Sequence, residues 1–359
     1  MASAAPLATS SATTLAALPP VALDRLSGLL LGTAIGDALG LPFEGLSART
    51  IARRKPALDR YHLIGPIGVV SDDTQHAALL VASLLAGAGS VERSRRAFRR
   101  ALGWWVLSLP WGIGMATLKA CALILLRVER SGRPSAGNGA AMRGAATALV
   151  VPHDRALRVA LGTMAAEVTH TDGRGVEGAL FSGELAAACL VDAGPRADEA
   201  PSAARARRVA LVCTALSVVT GSELRDAILG AAHGTRANDA PATGYVVDSV
   251  ATAVAVFVDQ GNDVLASLGA CIRRGGDTDS NAAILGAWLG AWHGEAALPV
   301  TLIEQLQPGP YGAAHLRALA RAAHTGGPPP ATGYLIAALW SWLLYPVIIV
   351  HGFLRLVPR

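Results

Sequence analysis

Apolar residues recur along this chain with the period of an α-helix. From Leu23 onward, stretches rich in alanine and leucine and of helical length follow one another, separated by loops that contain glycine and proline. Alanine and leucine are strong helix formers, and β-branched runs are short. No alternating pattern is long enough to form a sheet, so the sequence predicts an all-α fold.

The chain divides into four segments. Residues 1–21 are rich in Ala, Ser, Thr and Pro and lack both the basic region and the apolar block of a signal peptide, so we expect a disordered tail. Residues 22–325 form one predicted helical domain. A linker rich in Gly and Pro covers 326–333, and residues 334–359 form an apolar C-terminal segment.

That C-terminal segment leaves three interpretations open. Residues 334–353 contain no formally charged side chain, and twenty apolar residues are enough to span a bilayer. Pro346 interrupts the run, and Trp340, Trp342 and Tyr345 lie in its middle, which favours an interfacial helix over a clean span. The alternatives to a membrane anchor are a helix pair that packs on the domain and a contact within an oligomer.

Composition narrows the class of protein. Hydrophobic residues make up 52% of the 359 positions and charged residues 16%, which permits a large core and excludes a disordered chain. The net charge is +5, and the basic side chains are nearly all arginines. They are scattered apart from two clusters, at 93–100 and 205–208, which are typical of solvated helix faces, so we expect no nucleic-acid binding beyond a possible modified end.

The cysteine and glycine patterns predict packing rather than chemistry. The four cysteines lie far apart in apolar helical stretches without Cys/His spacing, which predicts reduced, buried thiols and no zinc site. Gly28, Gly32 and Gly36 share one helix face, suited to close contact with another helix.

Two acidic clusters carry the candidate chemistry. Ser71-Asp72-Asp73-Thr74 and Asp277-Thr278-Asp279-Ser280 each precede an Ala-rich helix. A helix N-cap explains one oxygen ligand in each cluster, but not two neighbouring carboxylates flanked by hydroxyls. Adjacent carboxylates repel each other unless a cation lies between them, and hard divalent cations prefer such oxygen ligands. The two clusters therefore predict a metal site, with room for two divalent ions.

Six segments give the chain a resemblance to a known family. They are GLLLGTAIGDALGLPFE (28–44), SDDTQ (71–75), SAGNGAAMRGAA (135–146), VTHTDGRGVEGA (168–179), TGYVVDSVATAV (243–254) and RGGDTDSNAAILGAWLGAWHG (274–294). In order and spacing they resemble the ADP-ribosylglycohydrolases, the group that contains the dinitrogenase reductase-activating glycohydrolase. The resemblance implies a compact orthogonal helical bundle with a binuclear Mg²⁺ or Mn²⁺ centre.

The resemblance also implies roles for individual residues. The implied metal ligands are Ser71, Asp72, Asp73, Asp277, Asp279 and Ser280. Glu44 matches the loop glutamate placed over the reacting ribose, and Gly137, Asn138 and Gly139 match the segment that wraps the diphosphate and distal ribose, where backbone amides suit phosphate oxygens. His170 and Tyr245 match positions near the nucleotide, although core packing remains an equal alternative for both. Arg143 is expected to be structural, paired with a buried carboxylate.

This sequence departs from the family pattern at two points. Serine stands at 71 and 280 where the family usually has threonine, which keeps the hydroxyl oxygen. Gly144-Ala145-Ala146 lacks the usual proline, which weakens any transfer of substrate preference.

The resulting functional hypothesis is a metal-dependent hydrolase that cleaves the ribosyl bond of ADP-ribosylated protein or of a small ADP-ribose conjugate. Two cations would bind the ribose hydroxyls, and Asp72, Asp73 or Glu44 would act as base on water. The alternatives are a non-catalytic ADP-ribose sensor and a structural protein on the same scaffold. We expect a cytoplasmic monomer, with possible attachment to the cytoplasmic face of a membrane through the C-terminal segment.

Overall fold

Sixteen α-helices make up most of the computed structural model, which describes residues 21–110, 112–192, 194–236, 240 and 242–356. In chain order they are α1 (Leu23–Gly40), α2 (Ala48–Arg54), α3 (Asp72–Gly87), α4 (Val91–Val106), α5 (Met115–Leu125), α6 (Ala146–Val150), α7 (Arg155–Glu167), α8 (Gly173–Val191), α9 (Pro201–Ala215), α10 (Ser222–Ala232), α11 (Val246–Gln260), α12 (Val264–Arg273), α13 (Thr278–His293), α14 (Val300–Glu304), α15 (Ala313–Thr325) and α16 (Tyr334–Leu356). Within the described residues, β-structure is limited to isolated bridges, which confirms the all-α prediction.

Helices α1 and α13 pack against each other along their length and form the centre of the fold. Gly32 faces Gly286 so closely that a Cβ atom at Gly32 would lie 2.1 Å from the Gly286 carbonyl oxygen. The contacts run from Gly28 beside Gly290 to Gly40 beside Thr278, so the two helices are antiparallel. The predicted glycine face is therefore confirmed, and it brings the end of α1 beside the beginning of α13.

Four aromatic side chains of the core pack around the C-terminal half of α13. Phe181 and Phe257 meet Trp288 edge-on, and Phe257 also meets Trp292, with ring centroids 6.0 to 6.3 Å apart. Edge-to-face packing of this kind adds about 0.5–1.5 kcal/mol per pair beyond the burial of area. These contacts hold α8 and α11 against α13, and so fix the direction in which α13 begins.

The C-terminal segment forms one helix that lies on the domain. Pro346 does not divide α16, which runs unbroken from Tyr334 to Leu356, so the segment forms a single helix and not the helix pair that was one of the three interpretations. Leu344 is buried with Leu41 and Val69 on the domain surface. Among the described residues, two helices are long and apolar enough to cross a membrane: Leu23–Phe43, which the domain buries completely, and Tyr334–Phe353, which is mostly exposed.

Two other predictions concern the cysteines and the N-terminal tail. Cys121, Cys189 and Cys271 are buried free thiols as expected, whereas Cys213 is exposed, because it lies on the outer face of α9. The tail predicted over residues 1–21 falls, apart from Val21, outside the described residues.

Candidate active site

A cavity of about 300 Å³ lies where the end of α1 meets the beginnings of α3 and α13. Its lining comprises Glu44, Asp72, Asp73, Gly112, Gly114, Met115, Ala116, Thr117, Ser135, Gly137, Asn138, Gly139, Met142, His170, Gly244, Asp277, Asp279 and Ser280. Both acidic clusters contribute to it, although the segments are 207 residues apart where Ser280 contacts Asp73. The antiparallel packing of α1 on α13 produces this encounter.

The first cluster forms the N-terminus of α3. Ser71 is the N-cap: its hydroxyl oxygen accepts a hydrogen bond from the Asp73 backbone N–H at 3.4 Å and donates to the Asp73 carboxylate at 3.1 Å. The Ser71 side chain is buried and is not among the lining residues of the cavity. Capping and the orientation of Asp73 are thus its visible roles, and ligation stays a prediction.

A carboxylate outside the two clusters, which the sequence analysis did not identify, holds the N-terminus of α3 in place. Asp37 of α1 is fully buried and accepts hydrogen bonds from the backbone N–H groups of Ser71 and Thr74 and from the Thr74 hydroxyl. Burial raises the pKa of Asp37 to about 6, and these hydrogen bonds counteract the rise. The signal was present in the sequence, because Asp37 is one carboxylate in an otherwise apolar helical stretch.

The second cluster forms the N-terminus of α13. Asp279 and Ser280 are buried, and the Ser280 hydroxyl donates to the Asp73 carboxylate at 3.2 Å. Asp277 accepts a hydrogen bond of 2.9 Å from the side-chain amide of Asn138. That amide also donates to Ser249, so the loop at 137–139 and helix α11 together orient the Asp277 carboxylate.

The carboxylates of this site destabilise one another's charged forms. Burial raises the pKa of Asp73 well above its usual value, and the negative charges of Asp37 and Asp72 raise it further. Burial likewise raises the pKa of Asp279, with Glu44 and Asp277 as the nearby negative charges. Burial also raises the pKa of Asp72, and the negative charges of Asp37 and Glu44 raise it further. Such a cluster is stable at neutral pH only when it takes up protons or cations.

The donor set fits a hard divalent cation. Oδ1 of Asp73 and Oδ1 of Asp279 are buried without a hydrogen-bond partner, and both residues line the cavity. Unpaired buried carboxylate oxygens cost free energy that a cation would recover. Among the described residues, no three acidic, histidine or cysteine side chains are already arranged as a metal site. The carboxylates therefore share a cavity, but rotations of their side chains must complete any coordination.

Glu44 lies at the edge of the same cavity. It follows a 3₁₀ turn, Leu41–Phe43, that continues directly from α1, and its side chain is half-buried. The hydrogen bond from the Thr278 hydroxyl to the Gly40 carbonyl, 2.8 Å long, ties this turn to the beginning of α13. The resemblance implied a loop glutamate beside the reacting ribose, and the fold places Glu44 on the same cavity as the four aspartates.

The loop at 137–139 also lines the cavity. The backbone N–H of Gly137 donates to the Ser135 hydroxyl, and that of Asn138 donates to the Gly244 carbonyl. These two amides are therefore engaged within the protein. Glycine is required at 139 for steric reasons, because a Cβ there would lie 2.9 Å from the His170 ring.

His170 and Tyr245 have different environments. His170 is buried against this loop, and its Nδ1 lies 2.8 Å from the Thr169 hydroxyl; burial, and then the charge of Arg143, lower its pKa to about 3, so the ring is neutral. Tyr245 is not among the residues that line the cavity. Its hydroxyl donates to Glu223 at 2.6 Å and its ring lies under the guanidinium of Arg174.

We expected Arg143 to pair with a buried carboxylate, but among the described residues its hydrogen-bond acceptors are carbonyl and hydroxyl oxygens. Its guanidinium is fully buried and donates to the carbonyl oxygens of Gly139 and Ala165 and to the Thr169 hydroxyl. It therefore supports the loop at 137–139 and the residue before His170 from behind. Carbonyl acceptors replace a carboxylate here because three chain segments converge on this side chain.

The chain is similar to several known proteins. The sequence profile of the ADP-ribosylglycohydrolase family matches residues 18–331. An uncharacterized protein of Archaeoglobus fulgidus is 30% identical over 278 residues, which cover 75% of this chain and 87% of the relative. The ADP-ribosylhydrolase ARH3 of Xenopus tropicalis is 25% identical over 315 residues, covering 77% and 89%. A solved structure described as an ADP-ribosylglycohydrolase-related protein complex superposes with a TM-score of 0.68 at 26% identity, covering 85% of this chain and 98% of the other.

Proposed function

Because the chain belongs to the ADP-ribosylglycohydrolase family, we propose that it hydrolyses the ribosyl bond of an ADP-ribosylated protein or of a small ADP-ribose conjugate. Family membership supports a hydrolase of ADP-ribose conjugates in general. The observation that carries the proposal for this chain is the convergence of Glu44 and four aspartates on one cavity. A cavity of about 300 Å³ lined by carboxylates and by a glycine-containing loop suits a ribose and its diphosphate.

Two divalent cations, Mg²⁺ or Mn²⁺, are part of the proposal. The residues proposed to hold them are Ser71, Asp72, Asp73, Asp277, Asp279 and Ser280. The unpartnered oxygens of Asp73 and Asp279 and the mutual repulsion of the carboxylates support cation binding. When bound, the cations would supply positive charge that fixes the ribose hydroxyls and stabilises the charge that develops in the transition state.

The protein's own groups would orient the substrate and move the protons. Water would add to C1″ of the ribose while the bond to the leaving group breaks and its electron pair goes to the leaving nitrogen or oxygen. A carboxylate would take the proton of the water and return it to the leaving group, so that the step releases ADP-ribose and the neutral leaving group. Glu44 is the preferred base because it lies at the cavity edge on a rigid turn, and Asp72 is the alternative. Asn138 would keep Asp277 directed into the cavity, and neutral His170 would present an uncharged face to the substrate.

A non-catalytic ADP-ribose sensor is the competing function. Retention of all five carboxylates at the cavity favours catalysis, since a reader of ADP-ribose has no need of a base beside the ribose. The sensor hypothesis predicts binding of free ADP-ribose without turnover of any conjugate. Calorimetric titration with ADP-ribose, run beside the hydrolysis assay, separates the two.

The deciding experiment is a substrate panel. ADP-ribosyl-arginine protein, ADP-ribosyl-serine peptide, an ADP-ribosylated nucleic-acid end and an ADP-ribose ester would be incubated with the full chain in Mg²⁺ and then in Mn²⁺. Released ADP-ribose would be measured by mass spectrometry. We expect release from at least one conjugate, with loss in EDTA and in Asp277→Ala. Full activity in EDTA would refute the metal requirement, and binding without release from any conjugate would favour the sensor.

Location and assembly are further parts of the proposal. We propose a cytoplasmic monomer that associates with a membrane through the C-terminal segment. Mostly exposed α16 supports membrane association.

A further inference from the structure

In helix α16 the side that faces away from the domain, its outer face, is apolar. Among the described residues, the hydrogen-bonding side chains of α16 lie on the side that faces the domain. Its outer face consists of Leu335, Ile336, Leu339, Trp342, Leu343, Ile349, Val350 and Phe353, and each of these side chains exposes between 50% and 73% of its surface. Their spacing of three or four residues places them on one side of the helix. No polar side chain other than the indole of Trp342 lies among them, although a helix face in water is normally polar.

The hydrogen-bonding side chains of α16 are turned toward the domain instead. The indole N–H of Trp340 donates to the Gln307 side chain, the Tyr345 hydroxyl donates to the Leu109 carbonyl, and the His351 ring contacts the Pro42 carbonyl at 3.1 Å. Ser341 is buried on the same side. These anchors extend over three turns, so the helix lies flat on the domain and presents its apolar side outward.

A second apolar surface lies beside α16. This flanking patch consists of Trp104, Leu107, Leu109, Met115 and Leu118, all more than 40% exposed. The hydrogen bond of 2.6 Å from Tyr345 to the Leu109 carbonyl joins it to α16. Together the two surfaces exceed the scattered apolar residues normal on a soluble protein, so they require an apolar partner.

The exposed charged residues shown beside the flanking patch, Arg100 and Lys119, are positive. No Asp or Glu occurs between Glu92 and Glu129, a segment that carries seven Lys and Arg residues, and none occurs after Glu304. Exposed Arg100 precedes Trp104 by one helical turn, and Lys119 follows Leu118 in the flanking patch. Positive charge beside apolar and tryptophan side chains matches the headgroup region of an anionic membrane. A second copy of this chain would bring two such positive surfaces together.

We propose that the outer face and the flanking patch form a membrane-binding surface on which α16 lies in the plane of the bilayer, with the active-site cavity opening at its edge. Met115 both lines the cavity and belongs to the flanking patch. His351 of α16 contacts Pro42, two residues before Glu44. Resting on the proposed function, this orientation makes the substrate an ADP-ribosyl group presented at the membrane surface.

Vesicle binding by the full chain tests the surface. The probes are vesicles of phosphatidylcholine alone and of equal parts of phosphatidylcholine and phosphatidylglycerol, with binding measured by flotation. We expect binding to the anionic vesicles, at least about tenfold weaker binding to the neutral ones, and release by carbonate at high pH. Leu339→Gln/Leu343→Gln should weaken binding by about tenfold or more. The matched control Val191→Gln, which changes an exposed apolar residue at the end of α8, should bind as the wild type.

Three results would overturn the inference. The first is a wild-type chain that stays unbound with anionic vesicles, including one that forms a soluble dimer through this face. The second is an equal loss of binding in the Val191→Gln control. The third is resistance to carbonate, which would indicate a spanning helix. Hydrolysis of a soluble ADP-ribosyl substrate, measured on the same preparations, is expected to be unchanged in every variant; its absence in the wild type would contradict the proposed function and leave the lipid result intact.

Discussion

The replacement of Asp279 by asparagine tests two effects proposed for the acidic cluster: it lowers the stability of the cation-free protein, and it binds divalent cations. In the cation-free protein, Asp279 is buried, lies near the negative charges of Glu44 and Asp277, and has one oxygen without a partner. Asparagine keeps the volume and removes the charge. We therefore expect Asp279→Asn to be more stable than the wild type in EDTA, by about 1–3 kcal/mol, because a buried charged oxygen without a partner costs more free energy than a buried neutral amide.

In the presence of divalent cations the wild type should become more stable than Asp279→Asn. A ligand at one hundred times its Kd stabilises the native state by about 2.7 kcal/mol, and the variant should lose most of this gain. For a chain of this size, 1 kcal/mol corresponds to about 2 °C in Tm. Scanning calorimetry should thus show Tm values that cross: the variant melts higher in EDTA and the wild type melts higher in MnCl₂.

The difference in stability between Asp279→Asn and the wild type should depend on pH. The folded-state pKa values of Asp72, Asp73 and Asp279 are raised, so their contribution to stability is present at acid pH and is lost as pH rises through those values. The gap between variant and wild type in EDTA should therefore widen from pH 5 to pH 8. Asp226→Asn, which neutralises an exposed carboxylate on α10, is the control and should shift neither Tm. A variant less stable than the wild type in EDTA would refute the reasoning.

Three further predictions follow from other parts of the structure. Gly286→Ala should lower the free energy of unfolding by about 1–3 kcal/mol in urea titration, because its Cβ would lie 2.1 Å from the Gly32 carbonyl oxygen; Gly352→Ala, with open space around it, should not. Because the folded-state pKa of His170 is about 3, the unfolded state binds more protons between about pH 3 and 6.5 and stability rises with pH there; His170→Asn should reduce that slope by up to about 1.4 kcal/mol per pH unit, and an unchanged slope would contradict a neutral ring. Asp37→Asn should weaken Mn²⁺ binding by about 10–100-fold in calorimetric titration, since Asp37 positions the N-terminus of α3; unaltered affinity would limit Asp37 to a role in folding.

Some features were predictable because they depend on local sequence. The helices follow from alanine and leucine at helical spacing, and both acidic clusters lie at helix N-termini. Ser71 caps α3 through its side chain, whereas Asp277 precedes α13 without a side-chain capping hydrogen bond, so the expected N-cap is confirmed at α3 only. The glycine face of α1 predicted close packing, and Gly28, Gly32 and Gly36 each meet α13. Repulsion within each acidic pair predicted a cation before any fold was known.

Other features depend on contacts between distant segments. The role of Asp37 depends on hydrogen bonds to residues 34 and 37 positions away. The internal hydrogen bonds of the Gly137 and Asn138 amides, and the carbonyl partners of Arg143, involve segments that meet only after folding. No local pattern reveals whether a donor is already satisfied, because any nearby acceptor can satisfy it.

The sequence by itself thus determined the helical class, the glycine contact face and the two acidic helix ends, because each rests on interactions between residues a few positions apart. Only the tertiary structure decided that α1 and α13 run antiparallel, which brings Glu44 and four aspartates to one cavity. It also decided which side of α16 faces outward. An apolar run is apolar on every side in the sequence, and only packing on the domain selects the residues that remain exposed.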